Sequence, residues 1–253
     1  MSARMNYRKS LNHFRLNFGR LLLLTVCLAV SIGGVQASDA QAQKAGKTTD
    51  AFLAKNGQAE AVIVVGKESG PFYQWVAEEV QRHIKQLSGA EVPIVKSDKV
   101  PTEKTLIVLG GPQVNPLSAT AQQHQLVNFS GLKPEGFVLK AIELEGRQAL
   151  VAGGNDETAT MYAAYELLER LGIVFQLTND IIPEQKSDLA LPALDVRMEP
   201  VLKYRGVNCM FGFMMRWHMG LEDLRKHIDQ MAKLKLNTLD FSWGMGAPWL
   251  KFS

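Results

Sequence analysis

The chain has 253 residues, enough for one large domain or two modest ones, and its 46% hydrophobic and 21% charged content is that of a globular protein. Five basic residues precede Leu21 in a segment without acids; without them, 23 basic residues face 25 acidic ones, and the formal charge changes from +3 to −2. This balance removes the electrostatic basis for binding nucleic acid, so that class of partner is excluded.

Residues 1–37 have the pattern of an export signal. A basic segment is followed by the apolar run LLLLTVCLAVSIGGVQA, whose Val-Gln-Ala end predicts cleavage after Ala37. The apolar part, about 15 residues, is shorter than the roughly 20 needed to span a bilayer. We therefore predict an exported protein, periplasmic or extracellular, with no membrane association after cleavage. Because Cys209 would then be the one remaining cysteine, no intrachain disulfide is expected.

The segment 38–58 is polar and lacks hydrophobic periodicity, which predicts a disordered spacer. The segment 59–198 is predicted to be a two-layer α/β sandwich, in which two helices pack on one sheet. Its strands are predicted from short apolar runs: Ala61–Val65, Val92–Val95, Leu106–Leu109, Gly136–Ile142, Ala149–Ala152, Ile173–Leu177 and Leu189–Val196. Glycines follow three of these strands, but their spacing does not match a phosphate-binding loop, so we predict turns.

Two amphipathic helices are predicted in this domain. The first starts at Pro71 and ends at Gly89, and its apolar side chains recur at helical spacing. The second is capped by Asp156 and closed by Gly172.

The segment 199–253 is predicted to form a strand, a helix and a second strand. Tyr204–Asn208 and Asn237–Phe241 are the strands, and Leu221–Lys235 is the helix between them. Such a βαβ unit begins a barrel or an open parallel sheet. The histidines show no metal-ligand spacing, and we predict neither a metal site nor a cofactor.

From Tyr204 onward the sequence resembles the start of the catalytic barrel of exo-acting glycoside hydrolases. Tyr204-Arg205-Gly206, Arg216-Trp217 and IDQMAKLKLN are similar to β-hexosaminidases (glycoside hydrolase family 20), and the same segment resembles α-N-acetylglucosaminidases. The earlier phrases GKESGPFYQWVAEEVQRHIKQLSGAEVPIV and GNDETATMYAAYELLERLGI resemble the domain that precedes the barrel in hexosaminidases and α-glucuronidases. The resemblance implies an α/β fold: a two-layer sandwich like the second hexosaminidase domain, then the first β-α-β segment of an incomplete TIM barrel.

The resemblance and the strand-end positions indicate four substrate-binding residues and no catalytic one. Asn208 falls on an active-site asparagine of the α-N-acetylglucosaminidases, and Arg216 falls where hexosaminidases grip sugar hydroxyls. Asp240 lies at the end of the second strand, and Trp243 could stack on a sugar ring. The alternatives stay open: an ion pair for Arg216, a strand-end cap for Asp240 and a core position for Trp243. Arg205 is predicted to be structural, pairing with a carboxylate in the barrel floor.

The chain departs from hexosaminidases in its second barrel strand, where LDFSWG stands in place of histidines and paired aspartates. A complete barrel takes about 250 residues, and some 50 follow Pro200. We therefore expect 199–253 to be a truncated barrel start, its C-terminal portion to be missing, and the catalytic acids to be absent. The hypothesis is the N-terminal portion of an exported glycoside hydrolase that acts on glycans with amino sugars or uronic acids, inactive alone. The alternative is a non-catalytic carbohydrate-binding or structural module; carbohydrate is the expected partner.

Overall fold

The structure, a computed structural model, describes residues 51–101, 104–208 and 220–240. No helix among these residues is both long enough and apolar enough to cross a membrane. The elements in chain order are β1 (Phe52–Lys55), β2 (Gln58–Ala59), β3 (Ala61–Val65), α1 (Pro71–Ser88), β4 (Ile94–Lys96), β5 (Thr105–Leu109), α2 (Pro116–Gln123), β6 (Phe137–Leu144), β7 (Arg147–Gly154), α3 (Glu157–Arg170), β8 (Val174–Phe175), β9 (Asp180–Ile181), β10 (Leu189–Ala190), β11 (Asp195–Met198), β12 (Gly206–Asn208), α4 (Leu221–Lys233) and β13 (Thr238–Asp240).

A six-stranded mixed sheet forms the centre of the α/β domain, with strand order β11-β6-β7-β5-β3-β4. β4, β3, β5 and β7 run parallel, whereas β6 is antiparallel to both β7 and β11. The central strands β3 and β5 are almost entirely apolar and buried, which matches a sheet that is covered on both faces. The β6–β7 hairpin turns at Glu145 and Gly146, and both residues have positive φ.

The two long helices cover one face of this sheet, as predicted. Side chains of α1 and α3 pack with one set of strand residues, including Ile63 and Ile107. The opposite face is also covered: Val64 and Val108 pack with Leu117 of α2 and with Phe129 from the segment that follows it. The predicted two-layer sandwich therefore has a partial third layer.

Ordered structure begins earlier than predicted. The expected spacer extended to residue 58, but β1 and β2 form a hairpin there, and β1 also pairs with β10 from the far end of the domain. Leu53 and Ala54 are fully buried in the main core. The spacer prediction is therefore wrong from residue 52 onward, because polar flanking residues concealed two core positions.

The residues predicted to cap the two helices, Gly89 and Asp156, do so in the structure. Gly89 ends α1 with φ 83°, and its amide donates to the Lys85 carbonyl. The Asp156 side chain accepts the Ala159 amide at 2.7 Å at the start of α3. These local signals fix where the helices begin and end.

The C-terminal segment forms the predicted βαβ unit, with β12 parallel to β13 and α4 between them. The helix ends at Lys233, two residues before the predicted end, and Lys235 has φ 60° in the following turn. The described residues contain this one βαβ unit, so the barrel stays a prediction.

Candidate functional site

The carboxyl ends of β12 and β13 bring two of the predicted sugar-binding residues together. In the parallel register, Gly206 pairs with Thr238, Val207 with Leu239 and Asn208 with Asp240. Arg216 and Trp243 lie outside the described residues. The backbone therefore places Asn208 and Asp240 side by side at one sheet end, where barrel and parallel-sheet enzymes bind their ligands.

Gly206 permits the close approach of these two strands. A Cβ at this position would lie 1.9 Å from the carbonyl oxygen of Thr238, a distance at which no side chain fits. Glycine removes that atom and lets the two backbones pair.

Glu135, from the α/β domain, holds both strands. Its carboxylate accepts hydrogen bonds from the Arg205 guanidinium and from the Asn237 amide, the latter at 2.9 and 3.1 Å. Arg205 also donates to the carbonyls of Lys235 and Leu202, both at 2.9 Å, and its own amide donates to Asn237 Oδ1 at 2.9 Å. The Arg205 and Glu135 side chains are 17% and 23% exposed, so the ion pair is largely shielded from solvent.

The expected structural role of Arg205 is therefore confirmed, but its partner is not in a barrel floor. Glu135 lies two residues before β6 and 70 residues before Arg205. Its backbone has φ 64°, and its amide donates to Asp156 Oδ2 at 2.8 Å. The residue that caps α3 thus also fixes the loop that presents Glu135.

A second contact joins the turn after α4 to helix α3. Lys235 Nζ lies 3.1 Å from Glu166 Oε2 and also bonds to Glu169. Burial raises the pKa of Glu166, but hydrogen bonds from Arg170 and Lys235 outweigh this and hold the pKa below its ordinary value. Glu166 therefore stays ionised and binds the turn that leads into β13.

A third contact joins α4 to Asp180, whose carboxylate also lies near a buried histidine. Lys233 Nζ lies 2.7 Å from Asp180 Oδ2, and His83, fully buried, has Nε2 3.6 Å from the same oxygen. His83 Nδ1 donates to the Glu79 carbonyl at 2.8 Å, and Nε2 lies 3.2 Å from Arg82 Nη2, which matches a neutral ring that accepts through Nε2.

Burial lowers the pKa of His83. Burial raises the pKa of Asp180, but the Lys233 and Gln230 hydrogen bonds outweigh it, so the net pKa is lowered.

These shifts predict that the chain loses stability in acid. The pKa of His83 is lower in the folded than in the unfolded chain, so its contribution is complete above the unfolded value of about 6.5 and declines as pH falls below it. We expect the urea midpoint to fall between pH 7.5 and 5, and His83→Asn to flatten this slope. His124→Asn, at an exposed histidine, should leave the slope unchanged. Parallel pH profiles for wild type and His83→Asn would contradict this assignment.

The glycines after β3 and β5 lie close to other backbone, in agreement with the predicted turns, whereas Gly153 and Gly154 are the last two residues of β7 and form no turn. A Cβ at Gly66 would lie 1.9 Å from the Val114 carbonyl oxygen, and one at Gly111 would lie 1.9 Å from that of Gly154. These glycines therefore serve close packing of loops and leave no room there for a phosphate group. Within the three described ranges, no cluster of His, Cys, Asp and Glu is arranged to hold a metal ion.

Sequence reasoning missed Glu135 and Asn237, which carry most of the contacts at the base of the strands. Asn237 directly precedes β13, and its Nδ2 also donates to the Lys203 carbonyl at 2.9 Å. Its position just ahead of an apolar strand was a weak signal of a cap. Glu135 stands in a Pro-Glu-Gly turn, which predicts a turn but names no partner.

The chain resembles the leading region of several glycoside hydrolases. Residues 47–167 match the family model described as the N-terminus of glycosyl hydrolase family 67. A β-hexosaminidase of Porphyromonas gingivalis is 28% identical over 115 residues, which cover 44% of this chain and 13% of that protein. The chain thus spans a small part of the relative that it matches.

A solved glycoside hydrolase structure shows the same fold. A family GH115 4-O-methyl-α-glucuronidase with specificity for decorated arabinogalactans aligns with a TM-score of 0.54 at 19% identity, over 75% of this chain and 25% of that one. A Streptomyces plicatus β-hexosaminidase in complex with its product GlcNAc has a TM-score of 0.42 at 12% identity, over 76% of this chain and 31% of that one. The predicted resemblance is confirmed: this chain is similar to the N-terminal part of a glycoside hydrolase, and its residues 47–167 match the N-terminal domain of family 67.

Proposed function

We propose that this chain is the N-terminal portion of an exported glycoside hydrolase that acts on glycans containing amino sugars or uronic acids. In this proposal the α/β domain supports the first βαβ unit of the catalytic barrel. The family match and the relatives' printed activities, a hexosaminidase and a glucuronidase, support the substrate class.

The observation that carries the proposal is the pairing of Asn208 with Asp240 at adjacent strand ends. The Glu135 contacts and the Lys235 contacts both act at the base of these strands. Adjacent carboxyl ends of parallel strands are where barrel and parallel-sheet enzymes place their ligand contacts. Arg216 and Trp243 complete the proposed sugar contacts, as a hydroxyl donor and a stacking surface.

The same unit is proposed to bind sugar without cleaving it. Glycoside hydrolysis generally uses two carboxyl groups about 5–9.5 Å apart across the scissile bond. The described ends of β12 and β13 carry one carboxylate, Asp240. Asp240 is therefore assigned to substrate contact, and the catalytic acids are proposed to come from other strands.

Titration calorimetry with N-acetylglucosamine and glucuronic acid tests this proposal. We expect weak binding of one of the two sugars and a loss of at least about tenfold in Asp240→Asn, because a charged hydrogen bond contributes about 1.5–3 kcal/mol. Asp229→Asn, at an exposed acid of α4, is the matched control and should bind as wild type does. Release of nitrophenol from aryl glycosides by the purified chain would contradict the assignment of no catalytic acid.

A structural module is the second candidate, and the dense contacts between α3 and the turn after α4 favour it. A supporting domain needs such contacts whether or not it touches sugar. Absence of binding to both sugars, with α4 folded, would favour this candidate.

A further inference from the structure

We propose a second ligand site, for acidic oligosaccharides, at the end of the sheet remote from β12 and β13. A cleft of about 540 Å³ opens there beside β1. Glu60 and Lys104 directly precede β3 and β5, and Arg147 begins β7, so the cleft lies at the amino ends of three parallel strands. Its volume falls in the range of small-ligand pockets, roughly 300–1,000 Å³.

Positive charge predominates in this cleft. Lys55, Lys104 and Arg147 line it together with one acid, Glu60. Among the residues that the structure describes, none of the three cations has a carboxylate within ion-pair distance. Like charges gathered around a concave surface raise the local potential and attract an anion.

Arg147 and Lys104 are also partly buried, which distinguishes them from solvated surface cations. Lys104 Nζ donates to the Ala59 carbonyl, which holds its ammonium in the cleft wall. The Arg147 guanidinium makes no hydrogen bond to any residue in the described ranges, although it carries five donors. A carboxylate or sulfate placed between Arg147 and Lys104 would satisfy those donors through a bidentate contact.

The remaining lining residues favour a saccharide over a simple ion. Thr105 and Gln148 offer side chains that both donate and accept, as sugar hydroxyls require. Phe52 lines the same cleft, with Lys55 Nζ 4.4 Å from its ring centroid, so an aromatic surface and a cation occur together. An acidic oligosaccharide presents anions, hydroxyls and an apolar ring face, which match these three features.

The two sites are far apart. β7 runs from Arg147 at the cleft to Gly154, which pairs with Phe137 two residues after Glu135. Seven residue steps along a strand span roughly 23 Å. The cleft can therefore bind its ligand whether or not Asn208 and Asp240 contact sugar, and failure of one proposal leaves the other intact.

Titration calorimetry with trigalacturonate tests the cleft, with a sulfated trisaccharide and neutral maltotriose as parallel probes. We expect sub-millimolar binding of an acidic probe, no binding of maltotriose, and weaker binding when salt is raised from about 50 to 300 mM. Arg147→Gln should weaken binding at least tenfold, and so should Lys55→Gln, whose exposed position makes it safe for folding. Lys226→Gln, at an exposed cation of α4, is the control and should bind as wild type does.

Each outcome decides the matter. Preference for trigalacturonate assigns uronates, and preference for the sulfated probe assigns sulfate esters; both support the acidic-oligosaccharide site. No binding of either acidic probe at about 5 mM overturns it. Binding that survives both Arg147→Gln and Lys55→Gln, in variants that melt as wild type does, also overturns it.

Discussion

Replacing Glu135 by alanine is expected to loosen the whole βαβ unit while the α/β core stays folded. The change removes the carboxylate that pairs with Arg205 and accepts from Asn237, and it leaves a guanidinium that is 17% exposed without its anion. Loss of a charged hydrogen-bonded partner costs about 2 kcal/mol, which is about a thirtyfold change in an opening equilibrium. We expect amides of β12, α4 and β13 to exchange with solvent about thirty times faster, as measured by hydrogen exchange with mass spectrometry.

Glu199→Ala is the matched control for this experiment. Glu199 pairs with Arg197 at 2.9 Å, but Arg197 is 38% exposed against 17% for Arg205, and ion pairs that solvent reaches contribute about 0–1 kcal/mol. Exchange in β12, α4 and β13 should stay near the wild-type rate in this variant. If both variants accelerate exchange equally, Glu135 is not the residue that holds these strands.

The parts of the fold that the sequence predicted well depend on contacts close in the chain. Pro71 and Gly89 bound α1, and Asp156 caps α3, because caps and helix periodicity involve residues within one or two turns. The βαβ unit was predicted for the same reason, from an amphipathic helix between two short strands.

The β1–β2 hairpin shows a local signal that was overlooked. Asn56 and Gly57 have φ of 51° and 72°, the conformation that an Asn-Gly pair adopts in a two-residue hairpin turn. The polar composition of this region suggested a spacer, yet Leu53 and Ala54, just before the turn, are fully buried. The pairing of β1 with β10 involves residues more than 130 positions apart, and no local pattern predicts it.

In the candidate site too, the features set by local sequence were predicted and the contacts between distant residues were not. Asn208 and Asp240 were expected at strand ends from position alone, and the parallel register places them opposite one another. The contacts that hold them there are distant in sequence: Glu135 reaches Arg205 across 70 residues and Asn237 across 102. Which carboxylate meets which cation depends on how the two parts pack, and composition or periodicity cannot supply that.

Replacing Gly206 by alanine is expected to separate β12 from β13. The new Cβ would lie 1.9 Å from the Thr238 carbonyl oxygen and within 3.0 Å of two further Thr238 atoms, so the strands must part. Overpacking against backbone costs about 1–3 kcal/mol, and here the cost falls on a two-stranded ladder that has few bonds to lose. Under the proposed function, sugar binding should then be lost, because Asn208 no longer lies opposite Asp240.

Gly220→Ala is the control that separates a steric effect from a general effect of removing glycine. A Cβ at Gly220 would have Asp223 Oδ2 as its nearest neighbour at 3.7 Å, and its φ of −76° suits any residue. Its expected cost is about 0.5–1 kcal/mol, because alanine is a poorer helix N-cap than glycine. Hydrogen exchange at Val207 and Leu239 should rise sharply in Gly206→Ala and little in Gly220→Ala, while the main thermal transition of the α/β core stays in place. Wild-type exchange at both amides in Gly206→Ala would mean that the close strand approach does not hold Asn208 against Asp240.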